Sequence, residues 1–440
     1  MEGFFYASLM KIPDNSILNE NLSSHGKDLY FPNGIVAQAG DATGKSINAT
    51  AGVAYNDDGT LMTLPSLKES FRIETNSFNY APTPGLKDLR EVWLQEIHKK
   101  NPSLGNAPTT LPIVTNGLTH GINIAGQLFL APGDHAILAD KYWDNYELMC
   151  EMGLKVKLKT FPTFDGNRYN TKGIERLALE EPIGKKFFIF NVPNNPTGYS
   201  PTLEEQDQIV ETMIRSAEAG NKVIVLCDDA YFGLNYADDI APESLFAKLA
   251  NAHDNIITVK IDGATKEEFA WGLRVGFITI GGKALTSQDI AVLENKIIGA
   301  IRANASNGCR PSQESILNLL NHPRHDQDKS AAKKILRERF ETSQKVLTKN
   351  SEKYTDCFNP LPANSGYFLC LELQKGINGE QVRQTLLDKH DIGIIAIDDW
   401  LRVAFSAVDK EKIPHLFEKI HEVCSEQLCS RLEKKVSREK

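Results

Sequence analysis

KVIVLCDDAYFG, residues Lys222 to Gly233, is an apolar run that breaks abruptly into two aspartates, an alanine and a tyrosine. A run so short and so apolar fits a strand covered on both faces, the kind a parallel sheet uses. Upstream, KKFFIFNVPNNPTG (Lys185 to Gly198) repeats the pattern: an apolar strand, then a Pro- and Gly-rich turn presenting Asn194 and Asn195. Downstream, IDGATKEEFAWGLRVGF (Ile261 to Phe277) opens on the end of a third apolar run and carries Lys266, with Arg274 eight residues later. In an open α/β sheet, ligands sit just outside the carboxyl ends of the strands, so these three ends converge on one crevice. A lysine there can form a Schiff base with an aldehyde, and an arginine within reach can hold the aldehyde's phosphate.

Further strand-like runs at 135–139, 155–161, 255–261 and 275–280 join those at 186–192 and 222–228, with helical patterns between several of them. The alternation predicts an α/β fold: a three-layer αβα large domain around a mostly parallel sheet. After Ile280 the pattern changes to long charged amphipathic stretches, short strands at 367–373 and 401–405, and a final helix ending in KKVSREK. This predicts a smaller α+β domain over 311–440, a large domain over 56–310, and an amino-terminal segment, 1–55, that contributes to the small domain and to a substrate loop.

At 440 residues the chain is long enough for a substantial core, and 41% hydrophobic with 24% charged residues is the balance of an ordinary globular protein. A net charge of −8 without a long basic run argues against nucleic acid as a partner. The seven cysteines are scattered with no CxxC or Cys/His spacing, which predicts free thiols, a reducing compartment and no metal. MEGFFYASLMKIPDNS has an apolar patch but no basic region before it, and no run reaches a membrane-spanning length. The expected location is the cytoplasm, away from membranes.

The order NNPTG, DDAY, then a lysine eight residues before an arginine resembles the class I aminotransferases, fold-type-I enzymes that depend on pyridoxal 5'-phosphate (PLP). INATAGVAYNDDGTLMTLPSLKE (47–69), NYAPTPGLKDLR (from Asn79) and IRANASNG (301–308) look like segments of the aspartate and aromatic branch, so the resemblance runs from about residue 47 to about residue 405. It implies that Lys266 carries the cofactor and shuttles the Cα proton. That task needs a neutral amine, one whose pKa is lowered by burial and by nearby cations. Asp228 would keep the pyridine nitrogen protonated through a charge-assisted hydrogen bond. Asp229, its rival, should face the other side of the strand. Tyr231 and Asn195 would bond the ring oxygen, and Trp143, in KYWDNY, would stack on the ring.

For the phosphate, the resemblance implies amides near Gly117, Leu118 and Thr119 at a helix start, the Thr119 hydroxyl, Arg274, and Tyr80 reaching across from a partner subunit. Gly263 departs from the family's usual serine three residues before the lysine; Thr265 is its expected substitute, and cofactor retention is expected to be weaker. Asp262 is a second departure. Arg402, in WLRVAFS, matches the arginine that binds the substrate α-carboxylate, beside Gly52 and Asn195. Arg302 matches the arginine that the aspartate branch lends across a homodimer, and Ala305 stands where the family often has a tyrosine.

The activity so implied is transfer of an amino group from an L-amino acid, aspartate-like or aromatic, to a 2-oxo acid such as 2-oxoglutarate. Alternatives are a PLP-dependent lyase or decarboxylase on the same scaffold, and a non-catalytic binding or regulatory protein of this fold.

Overall fold

The computed structural model describes residues 16–30 and 34–436. The amino-terminal patch Met1–Asn15 and the closing Ser437–Lys440 lie outside the described residues.

Seven strands form the central sheet: β1 (Ile113–Asn116), β2 (His135–Ala139), β3 (Lys157–Phe161), β4 (Lys185–Asn191), β5 (Lys222–Asp228), β6 (Ile256–Gly263) and β7 (Val275–Gly281), in the spatial order β1-β7-β6-β5-β4-β2-β3. From β3 across to β6 every pairing is parallel. In β4 and β5 every residue after the first lysine is buried, as expected of strands covered on both faces. β7 is the exception, running antiparallel to both β6 and β1. The link from Gly263 to Val275 is shorter than the dozen or so residues a parallel crossover requires, so the chain turns back on itself, and Lys266 sits in that turn.

Helix α2 (Lys87–Lys100) covers one face, where the Trp93 ring stacks on Phe277 with centroids 4.2 Å apart. Helix α3 (Leu118–Phe129) covers the other, approaching so closely that a Cβ on Gly121 would lie 3.2 Å from Ile261 Cδ1. Alternation along β6 therefore gives Ile261 to the α3 side and Asp262 to the α2 side.

The carboxyl-terminal part contains α7 (His325–Lys349), α8 (Ile413–Val436) and an antiparallel sheet of β8 (Phe358–Pro360), β9 (Phe368–Leu373), β10 (Ile395–Ile397) and β11 (Trp400–Ala404), in the order β8-β9-β11-β10. The amino-terminal segment is attached to it. Ile47–Asn48 pairs in parallel with Ile392–Gly393. Helix α1 (Ile35–Asp41) lies beside β10, where the Gln38 amide donates to Ala396 O at 2.9 Å and accepts from Ala396 N at 2.8 Å.

Candidate active site

Asp228 is the last residue of β5 and Lys266 sits in the one-turn helix α5 (Ala264–Glu267) that follows β6 directly. Together with the end of β4 these elements floor a cleft of about 380 Å³, lined among others by Thr119, Trp143, Asn195, Asp228, Tyr231, Thr265, Lys266, Arg274 and Arg402. The three strand ends singled out by the sequence thus meet at one place.

Burial pushes the Lys266 amine down to about 8, with Arg274 acting in the same direction and Asp228 opposing. Its Nζ stands 4.9 Å from the centre of the Tyr231 ring. Asp228 is buried, which raises its pKa, but Tyr146 OH donates to its Oδ2 at 2.5 Å and the Ala230 amide donates to Oδ1 at 3.2 Å. Those donors and the nearby lysine favour the anion. Asp229 faces the opposite side of the sheet and pairs there with Lys260. Tyr231 is also buried, and its phenol is held in the neutral form by burial.

At the other end of α5 an anion cradle forms where Gly117 brings the start of α3 against Arg274. Gly117 caps α3 at φ +78°, and a Cβ there would lie 2.4 Å from an Arg274 guanidinium nitrogen, so the arginine lies directly against that backbone. Arg274 itself takes a left-handed conformation, φ +54°, and faces solvent. The helix start gives unpaired amides at Leu118 and Thr119 the orientation an anion needs. The Thr265 hydroxyl is buried, lines the cleft and has no hydrogen-bond partner among the described residues. The missing serine has a steric cause: a Cβ on Gly263 would come within 2.7 Å of both Gly276 Cα and Val275 O. No side chain fits there, whatever its chemistry.

Arg402 rises from β11 into the same cleft and is buried. Its Nη1 donates to Asn195 Oδ1 at 3.1 Å, its Nη2 donates to Thr50 O at 2.9 Å, and its plane packs 4.3 Å from the Phe368 ring centre. The Nε has no partner among the described residues, and burial lowers the guanidinium's pKa against the pull of Tyr231. A buried cation with one free donor edge is costly unless an anion completes it. Gly52 lies at the rim of the cleft, with nothing within 4 Å of where its Cβ would be.

Two of the expected residues lie elsewhere. Tyr80 is 87% exposed, and Arg302, at the end of helix α6 (Ser287–Asn304), is exposed and donates to Ser306 Oγ at 2.6 Å. Neither lines the cleft of its own chain.

Other contributors had no role assigned from the sequence. Ile35, Val36 and Ala39 of α1 wall the cleft, and Tyr146, which the sequence places only in the aromatic cluster beside Trp143, is the partner of Asp228. Asp262, which had no account from the sequence, lies behind the sheet: it accepts from Trp93 Nε1 at 3.0 Å and lies 3.5 Å from Lys260, and burial raises it to about 6.

The geometry, a lysine beside a buried aspartate, a glycine-lined anion cradle and a half-satisfied arginine, can hold a phosphorylated aromatic aldehyde together with a carboxylate. These residues fit PLP: the orphaned Thr265 hydroxyl and the cradle at Gly117 suit its phosphate, and Asp228 suits its ring nitrogen. Comparison with known proteins agrees. Residues 46–420 match the family described as aminotransferase class I and II. The chain is 27% identical over 210 residues to the cytoplasmic aspartate aminotransferase of Schizosaccharomyces pombe, covering 45% of this chain and 50% of that one. It spans about half to three fifths of the length of such curated relatives. Among solved structures, an aminotransferase from Anaerococcus prevotii superposes with a TM-score of 0.79 at 24% identity, over 91% of this chain and 98% of that one. The aspartate aminotransferase of Thermus thermophilus with maleate gives 0.71 at 18% identity, over 91% and 99%. Likenesses at this level of identity show the fold, and the family match across most of the sequence shows the rest: this chain belongs to the class I and II aminotransferases.

Proposed function

We propose that the chain is a PLP-dependent transaminase that moves an amino group from an L-amino acid, aspartate-like or aromatic, to a 2-oxo acid such as 2-oxoglutarate. One observation carries the reading: an amine brought down to about 8 by burial shares a cleft with a buried carboxylate and a buried arginine that has a free donor edge. When bound, PLP supplies the aldehyde that captures the amino group and the electron sink that weakens the bonds at Cα.

The protein's part is positioning and proton transfer. Arg402 binds the substrate carboxylate with the donor edge that Asn195 and Thr50 leave open. Lys266, its pKa brought down by burial so that part of the amine is neutral at physiological pH, takes the proton from Cα and returns it, a role whose efficiency is greatest when the pKa lies near the working pH. Asp228, kept anionic by Tyr146 and the Ala230 amide, holds a proton at the ring nitrogen. With the cofactor bound, Gly117, Leu118, Thr119, Thr265 and Arg274 would hold the phosphate, Trp143 would cover the ring, and Tyr231 with Asn195 would bond its oxygen. Trp143 and α1 wall one side of the cleft in which the proton moves.

The working unit in this reading is a homodimer, with Tyr80 and Arg302 completing the partner's cleft. Phe71, Ile73, Phe78 and Tyr80 are all large, apolar or aromatic, and exposed at 47%, 52%, 81% and 87%, the pattern of a surface awaiting cover. All seven cysteines are free, which supports a reducing compartment such as the cytoplasm.

A half-reaction panel tests the function. The PLP-loaded protein is mixed with single amino acids, and conversion of the cofactor to its pyridoxamine form is followed by absorbance. Conversion by a dicarboxylic or aromatic amino acid is expected. Release of ammonia or carbon dioxide without that conversion would favour the lyase reading, and borohydride trapping of the cofactor on any residue but Lys266 would overturn the assignment.

A further inference from the structure

The two residues after Lys266 are glutamates, and both turn away from the cleft into a buried ion-pair cluster. Glu267 accepts from Lys100 of α2 at 2.5 Å and from Lys329 of α7 at 3.0 Å. Glu268, fully buried, accepts from Lys329 at 2.6 Å through one oxygen and lies 2.6 Å from His325 Nε2 through the other. His325, Lys329 and Lys333 recur every fourth residue, so one face of α7 meets the turn that holds the catalytic lysine.

That turn needs help. Helix α5 has four residues, too few to hold its own shape, since a first helical turn fixes several residues for one hydrogen bond. Against the cost of burial, Lys100 and Lys329 hold the Glu267 carboxyl below its ordinary range, so the pairs are made by charged groups. The helix that receives them is also fastened to the carboxylate-binding strand: Arg339 of α7 donates from Nη1 to Ser406 O at 2.6 Å, just past β11. Ten residues separate Lys329 from Arg339, about 15 Å along the axis. One rod therefore touches the turn of Lys266 near its start and, at its middle, the chain just past the strand of Arg402.

We propose that Glu267 and Glu268 are positioning residues that clamp the Lys266 turn to α2 and α7, holding its amine in the cleft at a fixed distance from Arg402. The inference rests on the transaminase reading for the role of Lys266, but the readout that decides it, the Lys266 midpoint, does not require cofactor.

The full chain, freed of any cofactor, is labelled competitively with acetic anhydride across a pH series, and Lys266 acetylation is followed by mass spectrometry. The groups facing that amine are Asp228, Arg274 and Tyr231, and all stay in place. Removing a nearby negative charge would by itself lower the midpoint of a lysine. Loss of the clamp does the opposite, by letting water reach Nζ. In Glu267→Gln and Glu268→Gln the Lys266 midpoint is expected to rise by one unit or more from about 8, and PLP uptake at fixed pH to slow about tenfold. Lys329→Arg, which keeps the charge, should retain the wild-type midpoint. Lys186→Met removes a buried lysine at the far end of β4 and should lower Tm without moving the midpoint. An unchanged or lowered midpoint in the folded glutamine variants overturns the proposal. If these variants fail to fold, Lys329→Gln and His325→Gln read the clamp from its other side by the same criterion. A wild-type protein that binds no PLP would overturn the function and leave the midpoints standing.

Discussion

Asp228 and Asp229 are adjacent in the chain, equally buried and on opposite faces of one sheet, and they live in different electrostatic worlds. On the α2 face, Asp229 meets Lys260, Lys260 meets Asp262, Asp262 meets Trp93, and the glutamates meet Lys100 and Lys329. Each of these charges has an opposite charge or donor. On the cleft face, Asp228 has a phenol and one amide, and among the described residues Lys266 has no ion pair within bonding distance and Arg402 keeps a bare Nε. A closed set of charges supports a shape; an open set leaves room for a ligand. The comparison separates structural from chemical residues more sharply than burial does, since each set is mostly buried and each includes one half-buried lysine, Lys100 or Lys266.

Breaking the open set should cost activity and little stability. Lys266→Ala is expected to cut turnover by roughly 10²- to 10⁴-fold or more, the range of a lost general base, with the folded state retained by circular dichroism. Breaking the closed set should do the reverse. Lys260→Met strands two buried carboxylates and is expected to cost about 3–5 kcal/mol in denaturant unfolding, whereas Lys260→Met combined with Asp229→Asn and Asp262→Asn should recover much of it. Arg402→Leu should weaken substrate binding by about 2–5 kcal/mol, seen in the half-reaction as a raised concentration for half-conversion, while PLP uptake is unchanged.

Two smaller effects sharpen the contrast. Gly263→Ser would restore the family's hydroxyl in sequence but overpack the backbone of Gly276, so a stability loss of about 1–3 kcal/mol is expected with no gain in cofactor retention. The pH response also differs between faces. Lys266 binds its proton less tightly when folded, so between about pH 8 and the free-lysine value the unfolded chain holds more protons and stability of the cofactor-free protein rises with pH. Asp262 titrates near 6 in the folded chain, so between its free value and about pH 6 the folded chain holds more protons and stability falls with rising pH. Thermal melts of Lys266→Met and Asp262→Asn should each flatten one of these two slopes.

Much of this was legible in the sequence because it is local. The apolar runs of β4, β5 and β6 predict their strands to within two residues at either end, and strand alternation alone sends Asp229 to the far side of the sheet. Lys266, Arg274 and Asn195 fall at strand ends, where an α/β sheet keeps its ligands. What the sequence hid is long-range or steric. Helix α1 reaches the cleft through Gln38 and Ala396, which lie 358 residues apart, and nothing in IVAQAGD announces a cleft wall. The reversal of β7 follows from a short link, not from any pattern within the strand. Asp262 looked anomalous because its partner, Trp93, is carried by a distant helix. Gly263 looked like a lost ligand when it is a contact that admits no side chain.

That last contact extends further than one position. Gly263 lies against Gly276, and Gly276 lies against Gly117, whose carbonyl carbon would be 2.7 Å from any Cβ added there. Three backbones are therefore stacked with no side chain between them, from the lysine's strand to the helix that starts the anion cradle. Such a stack cannot be retuned one substitution at a time, because a methyl group on Gly263 or Gly276 strikes the next backbone and one on Gly117 strikes the Arg274 guanidinium. Variation in how tightly a descendant of this chain grips its coenzyme would have to arise at the margins, through Thr265 or Arg274, while the glycine column is inherited whole.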